Sequence, residues 1–259
     1  MSNSEQRLIG DSIVEISGQG PAIVFVHGFT TTAEFWREQV APFSRDRRVI
    51  RVNLPGHGVS PRPEERGYAI DDFVVDLERV FTELAIEPCV LVGLSMGGTI
   101  AQRFVLKNPP RVNALVLVGA TPHGLGPDVK VENVLTAIDR FGVAIASQHV
   151  IERSFAACAP ASIVDWAKNE VVQTPAHVAR VAIRSLNASD SRSELSSIRI
   201  PTLVVVGEED AITPPAESRA LADGIPDSWL TIIPNAAHFP MIEQPHIFNA
   251  KFSEFLNSI

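Results

Sequence analysis

Three residues far apart in the chain, Ser95, Asp210 and His238, are of the types that together make a hydroxyl nucleophilic. A serine hydroxyl is a weak nucleophile at neutral pH, so it needs a base to take its proton and a third group to hold that base in one tautomer. Ser95 lies in Gly93-Leu94-Ser95-Met96-Gly97-Gly98, a GxSxG pattern. The CVLVG segment before it reads as a buried strand and TIAQRFVLKN after it as a helix, so the serine falls on a strand-to-helix turn. Small neighbours let such a turn be tight, which lifts the hydroxyl clear of the sheet and leaves helix N-terminal N–H groups for a negative oxygen. The plainer alternative is a glycine-rich turn with an incidental serine.

Asp210 lies in VVVGEEDAITPP, just after a second apolar run, and His238 in LTIIPNAAHFPMIEQP, just after the next. Both turns follow the C-terminal ends of predicted strands, where open α/β sheets bind ligands. Glu208 and Glu209 are rivals for the acid, because a shift of one or two residues in the turn would exchange them. His123 competes as base, since it follows the strand ending at Val118; its other readings are hinge packing or a substrate contact. His246 falls within the start of the last predicted helix, which suits a base less. The loop Val26-His27-Gly28-Phe29 follows the first strongly apolar strand and can supply a second N–H to an oxyanion, so Phe29 and Met96 are the expected donors. His27 reads as a structural histidine bonded within that loop. Gly28, His123 and Phe239 are the expected substrate contacts.

To bring these side chains together the chain must supply a sheet. From residue 21 to about 120, short β-branched runs alternate with helical patterns, which predicts a mostly parallel sheet covered by helices. Strands are predicted at 22–26, 48–53, 90–93 and 114–118, with 13–16 as a leading antiparallel edge strand. Helices are predicted at 33–43, 70–84 and 96–107. Asp71 and Asp72 suit the first turn of the second, and Pro109 with Pro110 stops the third near Asn108. The rhythm returns with strands at 202–206 and 229–233 and a final amphipathic helix from about 244 to 256. Residues 121–197 read instead as helical segments, 129–141, 143–155, 162–170 and 175–186, without a convincing strand. The expected organisation is an α/β core of residues 1–120 and 198–259 with a helical lid, 121–197, inserted into it. Val131, Val134, Leu135, Ile138 and Phe141 occupy more than one face of the first lid segment, so part of that surface is expected to meet a substrate and the rest to pack on the core.

The composition narrows the function classes. The 259 residues are 45% hydrophobic and 20% charged, which supports one large core and argues against a disordered or fibrous chain. A net charge of −8, with no Lys/Arg-rich run, disfavours a nucleic-acid partner. No run approaches the roughly 18 apolar residues of a membrane span, so no membrane partner is expected. The start, MSNSEQRLIGDSIVEIS, lacks the features of a secretory signal, and a cytoplasmic location is expected. Cys89 and Cys158 make no CxxC pair, and Cys89 begins an apolar strand, where a cysteine acts as a small buried hydrophobe. There is no HExxH, no cysteine cluster and no GxGxxG after a strand, so neither metal nor organic cofactor is expected.

HGF at 27–29, NLPGHGVS at 53–60, GLSMGG at 93–98, GEEDAITPP at 207–215 and AAHFPMIEQP at 236–245 together resemble the α/β-hydrolase family. The likeness runs from about residue 13 to 257 and is greatest to the small bacterial branch of esterases, enol-lactonases, carbon-carbon bond hydrolases and cofactor-free haloperoxidases. It implies an α/β-hydrolase fold, a triad of Ser95, Asp210 and His238, and oxyanion donors Phe29 and Met96. Asn53 stands where members often carry Asp; that position looks structural in the family. The resemblance implies hydrolysis of an ester or lactone through an acyl-enzyme on Ser95, and the apolar faces and few fixed charges of the lid suggest a small to medium, largely apolar substrate. Arg153, Arg180, Arg184 and Arg192 could meet a substrate carboxylate or simply be solvated. A second reading is a carbon-carbon bond hydrolase using the same triad; those enzymes often carry Trp where Phe239 stands here. A third is a catalytically silent ligand-binding member of the fold. The expected partner is a small carbonyl compound, and a monomer or a homodimer fits the sequence equally.

Overall fold

Period-two alternation makes the central strands two-faced. Strand β3 (Ala22–Val26) sends Ile23 and Phe25 into one apolar cluster and Val24 and Val26 into another. Strand β5 (Cys89–Leu94) likewise divides Val90, Val92 and Leu94 from Cys89 and Leu91. Strands apolar on both faces require a helical layer on each side. The computed structural model describes residues 4–126 and 129–259; residues 1–3 of the expected core and 127–128 of the expected helical insertion lie outside them.

With β1 (Ser4–Ile9), β2 (Ser12–Ser17), β4 (Arg48–Asn53), β6 (Val112–Val118), β7 (Thr202–Gly207) and β8 (Ser228–Ile233), these strands form an eight-stranded sheet in the order β1-β2-β4-β3-β5-β6-β7-β8. β1 pairs antiparallel with β2, and β2 with β4; the remaining pairs are parallel. The predicted leading strand is therefore interior, because β1 lies outside it. β1 exposes its residues from Ser4 to Leu8, so it carries no apolar alternation to read.

Helices α2 (Ile70–Glu83) and α3 (Met96–Lys107) cover one face, with Phe73, Leu77, Phe81 and Phe104 in its core. The other face is covered by α1 (Arg37–Phe43) and α9 (Pro245–Leu256), through Phe43, Phe248 and Phe252. Each such side chain contributes about 1.5–3 kcal/mol when fully buried. The predicted helix at 33–43 is divided: a 3-10 turn over Ala33–Trp36 precedes α1. Between β7 and β8 lies α7 (Pro215–Gly224), a helix not foreseen, which starts on the prolines at 214 and 215. Cys89 is buried and its thiol is pushed up to about 12 by burial, consistent with an inert core residue.

Between β6 and β7 the chain forms α4 (Val131–Glu152), α5 (Ala161–Glu170) and α6 (Ala176–Asn187). Gly142, at φ 79° and ψ 163°, interrupts α4, and Ile138, Val143 and Ala179 pack α4 on α6. Among the described residues no helix is long and apolar enough to cross a membrane.

From β3 the chain adds β4 on one side and then β5 on the other, so the strand order reverses at β3. Crevices at such reversals, outside the strands' C-terminal ends, are where ligands bind in open α/β sheets. The loops after β3 and β5 are those that carry Phe29 and Ser95.

Candidate functional site

Ser95 caps the N-terminus of α3 with φ 52° and ψ −116°, a backbone conformation rare for a residue with a side chain. The turn is held by Ser95 N–H donating to the Val118 carbonyl (2.9 Å) and by Gly98 N–H donating to the Ser95 carbonyl (2.8 Å). Glycine is required at 97: a Cβ there would stand 2.5 Å from the carbonyl oxygens of both Val26 and His27. The GxSxG spacing thus lets α3 start directly against the end of β3.

The β3 loop supplies the facing wall. Thr31 Oγ1 accepts from Gly28 N–H (2.8 Å) and donates to the Gly28 carbonyl (3.0 Å), closing the loop on itself. His27 is wholly buried; its Nδ1 bonds the Gly28 carbonyl (2.9 Å) and its Nε2 accepts from Leu54 N–H (3.0 Å). Burial, reinforced by His57 nearby, lowers His27 to about 3, so it stays neutral and serves the loop. Among the described residues, the N–H groups of Phe29 and Met96 have no hydrogen-bond partner, leaving two donors beside Ser95.

Asp210 and His238 are brought together from the turns after β7 and β8. His238 Nδ1 is 2.9 Å from Asp210 Oδ2, with the residues 5% and 3% exposed. A carboxylate only accepts, so Nδ1 carries the proton and Nε2 is left for another partner. Asp210 Oδ1 accepts from the N–H groups of Ile212 and Thr213 (both 2.9 Å), while the Thr213 hydroxyl donates to Oδ2 (2.8 Å). Burial raises the Asp210 carboxyl, but His238 and the Thr213 hydrogen bonds outweigh it and the net displacement is downward. Glu208 and Glu209 face solvent, and Glu209 meets the Ala157 N–H (3.3 Å), not the imidazole.

Ser95 and His238 line one cavity of about 390 Å³, together with Gly28, Phe29 and Phe239. Phe239 stacks edge-on to the His238 ring, with centroids 5.1 Å apart. The cavity roof comes from α4: Val134, Ile138 and Phe141 face into it, while Val131 and Leu135 pack on the core below. His123 is not brought to this cavity. Its Nε2 pairs with Glu217 at 2.7 Å, and it lines a polar depression with Asp190 and Arg192 that adjoins the cavity at Leu125, Gly126 and Val129. His246 lies in α9. Of the four arginines, Arg153 lines the cavity, Arg180 pairs with Asp139 and Arg192 with Asp190, and Arg184 is exposed.

Two residues in contact with the His238–Asp210 pair or its flanks escape a reading of the sequence. Thr213 touches both Asp210 and His238 Nδ1 (3.2 Å), and only its three-residue spacing from Asp210 hints at this. Glu243, which receives N–H groups from both neighbours of His238, has no local signal at all. Asn53 explains its departure from Asp: its Oδ1 accepts from Ala33 N–H (2.9 Å) while its Nδ2 donates to Glu15 (3.3 Å), where a carboxylate would be repelled. Among the described residues no group of three or more His, Cys, Asp or Glu side chains could hold a metal.

The sequence pattern of the alpha/beta hydrolase family matches residues 23–251. A protein of Variovorax paradoxus named for carbamate hydrolysis, RutD, is 30% identical over 244 residues, covering 92% of each chain. A pimeloyl-[acyl-carrier protein] methyl ester esterase of Nitrosomonas europaea is 28% identical over 251 residues, covering 92% of this chain and 97% of that one. The solved structure of Est816, described as an N-acyl homoserine lactone degrading enzyme, has a TM-score of 0.86 at 30% identity and covers 97% of this chain and 100% of that one. The eight-stranded sheet, its flanking helices and the matched span agree: this chain belongs to the alpha/beta hydrolase family.

Proposed function

We propose that the protein is a serine hydrolase that cleaves a carboxylic ester or lactone of a small to medium, largely apolar substrate. The observation that carries this reading is the buried His238–Asp210 pair opening on the same cavity as a serine in the strained turn ahead of α3. In the first half-reaction Ser95 Oγ attacks the carbonyl carbon as His238 Nε2 takes its proton, and the negative charge passes to the carbonyl oxygen. The N–H groups of Phe29 and Met96 receive that oxygen; such a donor typically contributes about 3–4 kcal/mol to the transition state. Collapse expels the alcohol oxygen, which takes up from His238 the proton that came from Ser95, and leaves an acyl group on Ser95. Water, deprotonated by the same imidazole, then attacks the acyl carbon; the bond to Ser95 breaks, Ser95 Oγ takes the proton from His238, and the acid is released. Asp210 holds the ring in its Nδ1–H tautomer throughout and stabilises the imidazolium. The reactions named for the relatives, on a carbamate, a methyl ester and a lactone, all break a carbonyl–heteroatom bond, which agrees with this chemistry.

The segment 121–197 is the lid in this reading, with Val134, Ile138 and Phe141 meeting the acyl portion. The test is a short p-nitrophenyl ester with a fluorophosphonate probe in parallel. A burst of nitrophenol and labelling at Ser95 are expected, both lost in Ser95→Ala with turnover down roughly 10³-fold or more. Retained turnover in that variant defeats the proposal, and absence of labelling in folded wild type points to a ligand-binding role. Feeble ester cleavage beside rapid turnover of ring-fission diketones would reassign the bond to carbon-carbon.

A further inference from the structure

Glu243 is the last residue of α8 (Pro240–Glu243), it is largely buried, and no step above uses it. Its Oε1 accepts from the N–H groups of Ala237 (2.9 Å) and Phe239 (3.1 Å), the residues on either side of His238. Its Oε2 accepts from Ala156 N–H (2.7 Å), in the segment that follows α4. Two residues earlier, the Ser154 carbonyl accepts from His238 N–H itself (2.9 Å). One carboxylate thus grips the backbone on both flanks of the imidazole and fastens it to the helical insertion.

The arrangement is costly enough to need a reason. Burial pushes the Glu243 carboxyl up, and the N–H groups of Ala156, Ala237 and Phe239, with His238 nearby, only partly offset it. Without the carboxylate those three N–H groups would be left without their partner, and an unmet buried donor is destabilising. On the ring's other side stands Asp210, and Lys130, His149 and Arg153 line the cavity that His238 shares.

We propose that Glu243 is a positioning residue, which fixes the imidazole of His238 through the backbone on both its sides and couples that ring to segment 154–156 of the insertion. The proposal rests on the reading of Ser95, His238 and Asp210 as a hydrolytic triad. Displacement of a reacting group by about 1 Å can cost on the order of a hundredfold in rate, so a clamp on the base acts on kcat.

The test compares Glu243→Gln, Glu243→Ala and Glu209→Gln on p-nitrophenyl butyrate. A Gln oxygen can still accept from 237 and 239, but its NH₂ meets the Ala156 N–H donor to donor, so this nearly isosteric variant cuts the tie to the insertion; Ala removes both. Expected is a kcat reduced about ten- to a hundredfold, more in Ala than in Gln, with kcat falling more than KM rises. The acidic limb of the kcat/KM profile moves to lower pH in both, because a negative charge is lost from beside the base. The low-field proton resonance of the His238–Asp210 hydrogen bond shifts or broadens in both. Glu209→Gln, altered at an exposed carboxylate on the neighbouring Ala157 N–H, changes none of these. Wild-type kcat, acidic limb and resonance in a folded Glu243→Gln would overturn the proposal, as would a lowered thermal midpoint with those three unchanged. If Glu243→Ala does not fold, Glu243→Gln alone decides between the two outcomes. If wild type neither turns over the ester nor is labelled at Ser95, the hydrolase reading fails instead; the resonance then decides the clamp, moved in support or unmoved against.

Discussion

Asp210 has both carboxylate oxygens committed, Oδ1 to two backbone N–H groups and Oδ2 to Thr213 and His238. Asp210→Asn can keep the turn only by placing its NH₂ toward the ring, where it would favour the wrong tautomer. The expected result is a kcat lowered by roughly 10⁴ with the thermal midpoint nearly retained. Thr213→Val removes one donor to that carboxylate and is expected to lower kcat about tenfold, in keeping with the roughly 1.5–3 kcal/mol of a hydrogen bond to a charged group. A Thr213→Val variant with wild-type kcat would make the hydroxyl irrelevant to the ring. How far such roles are legible in sequence depends on the range of the contact. The acid could be narrowed to three adjacent carboxylates, and the 207–210 turn, closed by Asp210 N–H on the Gly207 carbonyl (3.2 Å), decides which one meets His238. Thr213 reaches His238 across 25 residues, with only its spacing of three from Asp210 as a hint, and Glu243 reaches back six and four residues to Ala237 and Phe239. His123 follows the end of β6 as the sequence suggests, but Glu217 on α7, a helix not foreseen, draws it aside.

The elements were legible wherever one periodicity acts alone. Buried strands such as β5, and α3 between its serine cap and the prolines after Asn108, are written in unbroken local patterns. β1 was not, since its side chains face solvent and its place is set by pairing with β2. Gly142 is a mixed case: the two predicted helical runs on either side of it meet where φ is +79°. Two glycines therefore separate backbone conformation from crowding. Gly97→Ala forces a Cβ against two carbonyl oxygens that cannot yield, so both stability, by about 1–3 kcal/mol, and kcat are expected to fall as β3 and α3 are driven apart. Gly142→Ala meets nothing within 4 Å and costs only its backbone strain, about 1–3 kcal/mol, with kcat on a short ester close to wild type. Urea titrations and steady-state kinetics on the two variants check this; an equal loss of kcat in both would show that the α4 break itself shapes the site.

Across the whole molecule, buried groups make opposed contributions to the response to acid, and Asp210, whose carboxyl is displaced downward, is one that loses stability as pH falls. His57 is wholly buried, with Nδ1 on the Pro55 carbonyl (3.0 Å) and Nε2 without a partner among the described residues. Burial lowers it to about 4, as burial lowers His27 to about 3, against an ordinary value of 6.5. Between pH 6.5 and 4 the unfolded chain therefore holds protons on these rings that the folded chain does not, and stability contributed by them falls as pH falls. Glu15, Asp76 and Glu243 work in the opposite direction. Burial raises all three, so over the lower part of that range the folded chain holds carboxyl protons that the unfolded chain has released. The pH slope of the wild type is thus a difference of opposed contributions and identifies neither. A substitution at one ring isolates its share: the stability of wild type relative to His57→Gln is expected to fall as pH drops from 6.5 to 4, by at most about 1.4 kcal/mol per pH unit. Denaturant midpoints of the two proteins at several pH values read this directly. Parallel curves would mean that His57 takes up its proton as readily folded as unfolded, and that its burial places no electrostatic burden on the fold.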